Sequence, residues 1–109
     1  MSWKVAFLPE VADDIKRIDG SIVAQIRKGI EKVAENPLPK SEGGYGEPLG
    51  HIGGTNLTGL YKIKFRGIGQ RVVYALKRTE TEMFVVVIGM REDNEAYREA
   101  GLRRSKHQL

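Results

Sequence analysis

Lysine and arginine side chains recur at every second position over one short stretch of the sequence. The segment Leu60–Arg66 places Lys62, Lys64 and Arg66 on one side of an extended chain and apolar residues on the other. Arg71 lies in the next alternating segment, five residues after Arg66. Ammonium and guanidinium groups gathered in this way bind phosphate oxygens and neutralise negative charge that develops on them. These residues therefore indicate phosphate chemistry.

The distribution of charge along the chain points to the same segment. The 109 residues carry a net charge of +4, yet residues 57–79 hold six basic side chains and no acid, and the segments before and after are slightly acidic. Concentrated positive charge is typical of a surface that meets phosphates. Lysines also keep the exposed edges of sheets soluble. Charge alone leaves both interpretations open.

Hydrophobic periodicity predicts the elements that position these side chains. Strands are predicted at 3–8, 60–66, 70–77 and 83–90, and helices at 10–20, from an N-cap at Ser21 to 35, and at 92–104. Residues 37–56 are rich in glycine and proline and are predicted to form an irregular connection. We expect an α+β fold with the two-layer order β-α-α-β-β-β(-α), a mainly antiparallel twisted sheet and two N-terminal helices packed on one face.

Length and composition restrict the class of protein. A chain of 109 residues suffices for one domain, which we place at 1–109. The sequence has no cysteine, which excludes disulfides and thiolate metal sites. No apolar run approaches the roughly 20 residues that cross a membrane, and the first residues lack a secretory pattern. We expect a cytoplasmic protein that uses no metal and no other cofactor.

The short turn between the second and third strands allows their pairing to be predicted. If residues 67–70 form a four-residue loop, Arg66 faces Arg71 and the apolar side chains face one another. A shift of the pairing by one residue would place lysine side chains opposite the buried apolar side chains. One exposed face of the sheet is then expected to carry four cations, namely Lys62, Lys64, Arg66 and Arg71. Because like charges so placed repel one another, an anionic partner is indicated.

Such a face has groups that can cut RNA without a metal. The reaction needs a base for the 2′-hydroxyl, positive charge beside the phosphate and an acid for the leaving 5′-oxygen. A lysine among other cations has a lowered pKa and can serve as the base. Arginine binds phosphate through two parallel hydrogen bonds, and tyrosine stacks on a base or exchanges a proton. The lysines and arginines could thus take the roles of histidine and glutamate in many ribonucleases.

Four parts of the sequence together resemble the RelE toxins of the RelE/ParE superfamily: Tyr61-Lys62-Ile63-Lys64-Phe65-Arg66, Gln70-Arg71-Val72-Val73-Tyr74, Ile88-Gly89-Met90-Arg91-Glu92 and Tyr97. The order of elements is similar over nearly the whole chain, which implies a single RelE-like toxin domain. RelE toxins belong to bacterial type II toxin–antitoxin systems. They cleave messenger RNA in the ribosomal A site and need no metal.

The resemblance also implies roles for individual residues. The catalytic set would be two lysines, two phosphate-binding arginines and a tyrosine six residues beyond the second arginine, namely Lys62, Lys64, Arg71, Arg91 and Tyr97. Arg66 sits where a further basic residue contacts RNA. Lys77, in the same basic stretch, is predicted to bind RNA as well.

The partners implied by the resemblance are a cognate antitoxin, messenger RNA in the ribosomal A site and ribosomal RNA, with no membrane. The antitoxin is expected to wrap the domain with an acidic segment. Two other functions stay open. One is a ParE-like toxin that binds DNA gyrase and has no hydrolytic site; the other is an inactive regulator that binds RNA or the ribosome.

The pairing of the last two strands decides whether the two arginines meet. In one register Arg71 faces Met90 and Arg91 turns toward the helices; in the other Arg71 faces Arg91 and Val73 faces Gly89. Burying an unpaired arginine is costly, and two arginines that hold one phosphate need a shared face. We therefore predict the second register, a loop of three or five residues, and a shallow space for a nucleotide beside Gly89.

Overall fold

The computed structural model describes residues 2–90 and 94–109. These residues form strands β1 (Lys4–Phe7), β2 (Glu47–Pro48), β3 (His51–Ile52), β4 (Thr55–Asn56), β5 (Leu60–Phe65), β6 (Gln70–Lys77) and β7 (Glu82–Met90), with helices α1 (Val11–Lys16), α2 (Gly20–Val33) and α3 (Glu95–His107). The predicted α+β class and order of the main elements are confirmed. Within the described ranges, each helix is too short or too polar to span a membrane.

One five-stranded sheet dominates the fold, in the order β1-β7-β6-β5-β2, and β3 and β4 form a separate hairpin. β1 runs parallel to β7, and the other neighbours are antiparallel. The mainly antiparallel sheet is therefore confirmed. The connection at 37–56 is more regular than predicted, because it supplies edge strand β2 and the β3–β4 hairpin.

Helices α1 and α2 pack on one face of the sheet, as predicted. The apolar stripe of α2 buries Ile26, Ile30 and Val33. The helix comes so close to β5 that a Cβ atom at Gly29 would overlap the ring of Phe65. The N-cap is Asp19 and not Ser21, because the Asp19 carboxylate accepts a hydrogen bond from the Ser21 amide at 2.8 Å.

Helix α3 packs on the opposite face of the sheet, which the sequence had predicted to be exposed. Its small and apolar residues are buried against β7, namely Ala96, Tyr97 and Ala100. Gly101 allows the helix to lie against Thr55 of the β3–β4 hairpin. The predicted exposed face is thus wrong in part: α3 covers the region around Arg71, which is buried, whereas Lys62 and Lys64 stay partly exposed.

The pairing of β5 with β6 differs from the prediction by two residues. Lys64 pairs with Arg71, and Arg66 lies in a 3-10 turn at Arg66–Ile68. The turn closes at Gly69, whose φ of 65° is favoured by glycine, so β6 resumes at Gln70. Because the offset is an even number of residues, the predicted faces of both strands are kept.

The pairing of β6 with β7 also differs from the prediction. Arg71 pairs with Gly89 and Val73 with Val87, not with Arg91 and Gly89 as predicted. The loop sets Lys77 opposite Glu82, which is three residues from the predicted register, and a β-bulge between Val73 and Tyr74 adds one residue to β7 and reduces this offset to two. The strands are joined by four residues, Arg78–Thr81, instead of three or five.

Candidate active site

Three cationic side chains predicted for the site meet on one face of the β5–β6 hairpin. Lys64 lies directly opposite Arg71, and Lys62 lies opposite Val73 on the same face. Side chains in directly opposed positions have Cβ atoms roughly 5 Å apart. The structure therefore brings Lys62, Lys64 and Arg71 together, as strand alternation had predicted.

Tyr97 of α3 completes this cluster. The guanidinium carbon of Arg71 lies 4.3 Å from the centre of the Tyr97 ring. The Nε–H of Arg71 is buried and has no hydrogen-bond partner among the described residues. An unsatisfied buried donor is costly. A phosphate bound beside the guanidinium would balance its positive charge.

Small residues bring Tyr97 to this position. A Cβ atom at Gly89 would lie only 3.0 Å from the Cβ of Ala96, so glycine at this point lets α3 approach β7 closely. Ala96 therefore occupies the position directly above Gly89, where the shallow nucleotide space was predicted. The neighbouring Tyr97 is 4% exposed and packs beside Arg71.

A buried ion pair between Arg103 of α3 and Asp14 of α1 fixes the position of α3. Arg103 is hydrogen-bonded to Asp14 of α1 and also donates to the carbonyl of Val86 at 3.0 Å. The same carboxylate accepts from the amide of Ile88 at 3.1 Å. The pair thus satisfies backbone groups of β7 near its bulge. Neither residue was singled out from the sequence, because each belongs to a helix with many other charged residues.

Glu47 of strand β2 is a second feature that sequence reasoning missed. It pairs with Lys62 across the sheet edge, with 4.0 Å between Glu47 Oε2 and Lys62 Nζ. Its other oxygen lies 3.1 Å from Nζ of Lys40. A two-residue strand that includes Pro48 has too little alternation to be recognised in a sequence.

The surroundings move the pKa values of two candidate catalytic groups in opposite senses. Partial burial and the nearby charge of Lys64 lower the pKa of Lys62 below 10.5, although Glu47 favours its charged form. Burial raises the pKa of Tyr97 above 10.0, although Arg71 opposes that shift. Lys62 is thereby easier to deprotonate, and Tyr97 keeps its proton more firmly.

The remaining predicted site residues are more dispersed. Arg66 is exposed and lines a groove next to Lys62 and Lys64. Lys77 lies six residues along β6 from Arg71, which corresponds to roughly 20 Å, and forms an ion pair with Glu80. The structure does not bring it to the site. Arg91 lies outside the described residues.

Comparison with known proteins identifies similar chains. Residues 5–95 match a family described as the ParE toxin of type II toxin–antitoxin systems, parDE. The mRNA interferase toxin RelE of Escherichia coli is 27% identical over 100 residues, covering 92% of this chain and 95% of that protein.

Solved structures show the same architecture. A mutant of the Escherichia coli toxin RelE in the free state matches with a TM-score of 0.74 and 25% identity, covering 100% of both chains. A mutant of that toxin in complex with an antitoxin RelBc peptide matches with a TM-score of 0.67 and 25% identity, covering 92% of this chain and 95% of the other.

Proposed function

The chain belongs to the ParE toxin family of type II toxin–antitoxin systems, and within that family we propose that it is a RelE-type ribonuclease that cuts messenger RNA on the ribosome. The resemblance to RelE toxins inferred from the sequence is confirmed by the similar proteins. The observation that carries the proposal is the meeting of Lys62, Lys64 and Arg71 beside Tyr97. This cluster combines phosphate-binding cations with two groups able to transfer protons.

Lys62 is the proposed base. Its lowered pKa increases the fraction of neutral amine that can take the proton of the RNA 2′-hydroxyl. The resulting oxygen attacks the adjacent phosphorus, and the bond from phosphorus to the 5′-oxygen breaks. The products are a 2′,3′-cyclic phosphate and a new 5′-hydroxyl end.

Lys64 and Arg71 are proposed to stabilise the charge that develops on the phosphate oxygens. Positive groups held in place before the reaction contribute most to such stabilisation, because they need little reorganisation. Lys64 and Arg71 are directly opposed in the sheet, and Arg71 has an unsatisfied Nε–H. The family resemblance adds Arg91 to this set as a second phosphate ligand.

Tyr97 is the proposed acid. Its raised pKa keeps the phenol protonated at neutral pH, so it can give a proton to the leaving 5′-oxygen. With 4% exposure and Arg71 against its ring, Tyr97 offers little surface for stacking on a nucleotide. Proton donation therefore fits its environment better than stacking.

We also propose a cognate antitoxin, messenger RNA and ribosomal RNA as partners. A related toxin has been solved with an antitoxin peptide. The cations of β5 would attract an acidic antitoxin segment as well as RNA phosphates. Co-purification of the chain with the product of the neighbouring gene tests the antitoxin; recovery of the chain alone from the native operon would contradict it.

The decisive experiment is to induce the chain in bacteria and map the ends of translated messages. We expect growth arrest and new 5′ ends within translated regions, together with 2′,3′-cyclic phosphates on the upstream fragments. Intact messages with inhibited gyrase supercoiling would favour the ParE-like alternative. RNA binding with neither cleavage nor arrest would favour an inactive regulator.

A further inference from the structure

A basic groove lies at the sheet edge beside the candidate active site. Besides Lys62, Lys64 and Arg66, its lining includes Lys32 of α2 and Lys40 and Tyr45 of the 37–56 connection. Among the described residues of the lining, five cations face one carboxylate, Glu47. The groove therefore carries a clear excess of positive charge and continues directly from the catalytic lysines.

Tyr45 gives this groove an exposed aromatic surface. The residue is 48% exposed, and Nζ of Lys32 lies 5.7 Å from the centre of its ring. The backbone beneath it is well held: the Tyr45 amide donates to the carbonyl of Asn36 at 2.9 Å, and the next amide donates to Leu38 at 2.9 Å. The ring is thus presented by an ordered loop and does not contribute to the buried core.

Lys40 links the loop to the catalytic lysines. Its Nζ lies 3.1 Å from one oxygen of Glu47, whose second oxygen lies 4.0 Å from Nζ of Lys62. A shared carboxylate therefore holds a lysine of the loop and a lysine of β5 on the same side of the groove. The aromatic ring and the reacting groups belong to one continuous surface.

We propose that this groove is a subsite for a nucleotide that flanks the scissile bond of single-stranded RNA. Tyr45 stacks on the base, and Lys32 and Lys40 contact the phosphate. This assignment rests on the proposed ribonuclease function. An aromatic side chain among cations is the usual means of holding single strands, since bases stack on the ring and phosphates meet the charges. An acidic protein segment would use the charges but would have no need of the exposed ring.

The test measures RNA affinity separately from cleavage. Fluorescent eight-nucleotide 2′-O-methyl RNA lacks the attacking hydroxyl, so binding to the active protein is followed by anisotropy at several salt concentrations. We expect Tyr45→Ala to weaken binding about tenfold with an unchanged salt dependence, and Tyr45→Phe to bind normally. Lys32→Ala should lower the slope of log K against log salt by about 0.7, the value for one phosphate contact on a single strand.

Lys4→Ala is the matched control, because it removes the same charge at the opposite sheet edge, β1. It should change neither affinity nor salt slope. Normal binding by Tyr45→Ala, or equal effects of Lys4→Ala and Lys32→Ala, would overturn the subsite. The subsite would also be overturned if Tyr45→Ala abolished antitoxin binding and left RNA affinity unchanged. Message cleavage by the unsubstituted chain is scored independently, so the subsite can fail while the ribonuclease stands.

Discussion

Arg103 of α3 donates two hydrogen bonds to Asp14 of α1, from Nη1 to Oδ2 at 2.7 Å and from Nη2 to Oδ1 at 3.0 Å. The two residues lie 89 positions apart in the sequence. Both are buried, and both also bind backbone groups of β7. The pair therefore connects three elements and sets where α3 places Tyr97.

The first prediction concerns this pair. Asp14→Ala should lower the free energy of unfolding by roughly 3–5 kcal/mol, because it leaves the Arg103 charge buried without its carboxylate. Urea unfolding followed by circular dichroism measures the loss. Asp13→Ala is the control, since Asp13 is exposed on the same helix and should change stability by less than about 0.5 kcal/mol. Equal stability of the two variants would show that the buried pair is unimportant.

The second prediction concerns the two lysines of β5. Lys62→Ala combined with Lys64→Ala should abolish growth arrest and message cleavage, because both the proposed base and a phosphate ligand are lost. Both side chains are partly exposed, so the free energy of unfolding should fall by no more than about 1 kcal/mol. Growth curves and thermal unfolding measure the two effects. Unchanged arrest in a folded double variant would remove the lysines from the mechanism.

The third prediction uses the carboxylate beside Lys62. Glu47 favours the charged lysine, so Glu47→Gln should lower the pKa of Lys62 further below 10.5. The rising limb of the cleavage rate against pH should then move to lower pH, because neutral amine forms earlier. Titration of the Lys62 side chain by NMR reads the pKa directly. Movement of either curve to higher pH would contradict the proposed coupling.

The fourth prediction separates the ring of Tyr97 from its hydroxyl. Tyr97→Phe keeps the aromatic packing against Arg71, so the fold and its stability should be nearly unchanged. Loss of a proton donor typically reduces a rate by about 10²–10⁴-fold, and we expect cleavage to fall within that range. Single-turnover cleavage on programmed ribosomes measures it. Full cleavage by the variant would mean that the ring matters and the hydroxyl does not.

The alternation of polar and apolar residues along β5 and β6 was sufficient to predict which side chains share a sheet face. Lys62, Lys64 and Arg71 lie together although their strand register differs from the predicted one, because a shift of two residues keeps every side chain on its face. The β-bulge at Val73 and Tyr74 could not be predicted in this way. A bulge changes the pairing without changing the hydrophobic pattern of an apolar strand such as β7.

The parts of the site that sequence reasoning missed depend on distant contacts. Asp14 and Arg103 resemble surface charges on their own helices and become partners only when α1 and α3 pack against β7. Glu47 and Lys40 lie in a segment with no periodicity, so nothing local indicates that they approach Lys62. Such residues are found from the fold and not from spacing.

The parallel pairing of β1 with β7 has a consequence for the order of folding. β5, β6 and β7 are joined by four-residue loops, so they can pair early through local contacts. β1 pairs with β7, which is distant from it in the sequence, so this pairing is expected to form later. The contact of α3 with α1 joins residues 89 positions apart, so it is expected to form late as well. A partly folded chain would therefore bring its basic lysines together before the Asp14–Arg103 pair fixes the position of α3 and of Tyr97, the proposed proton donor.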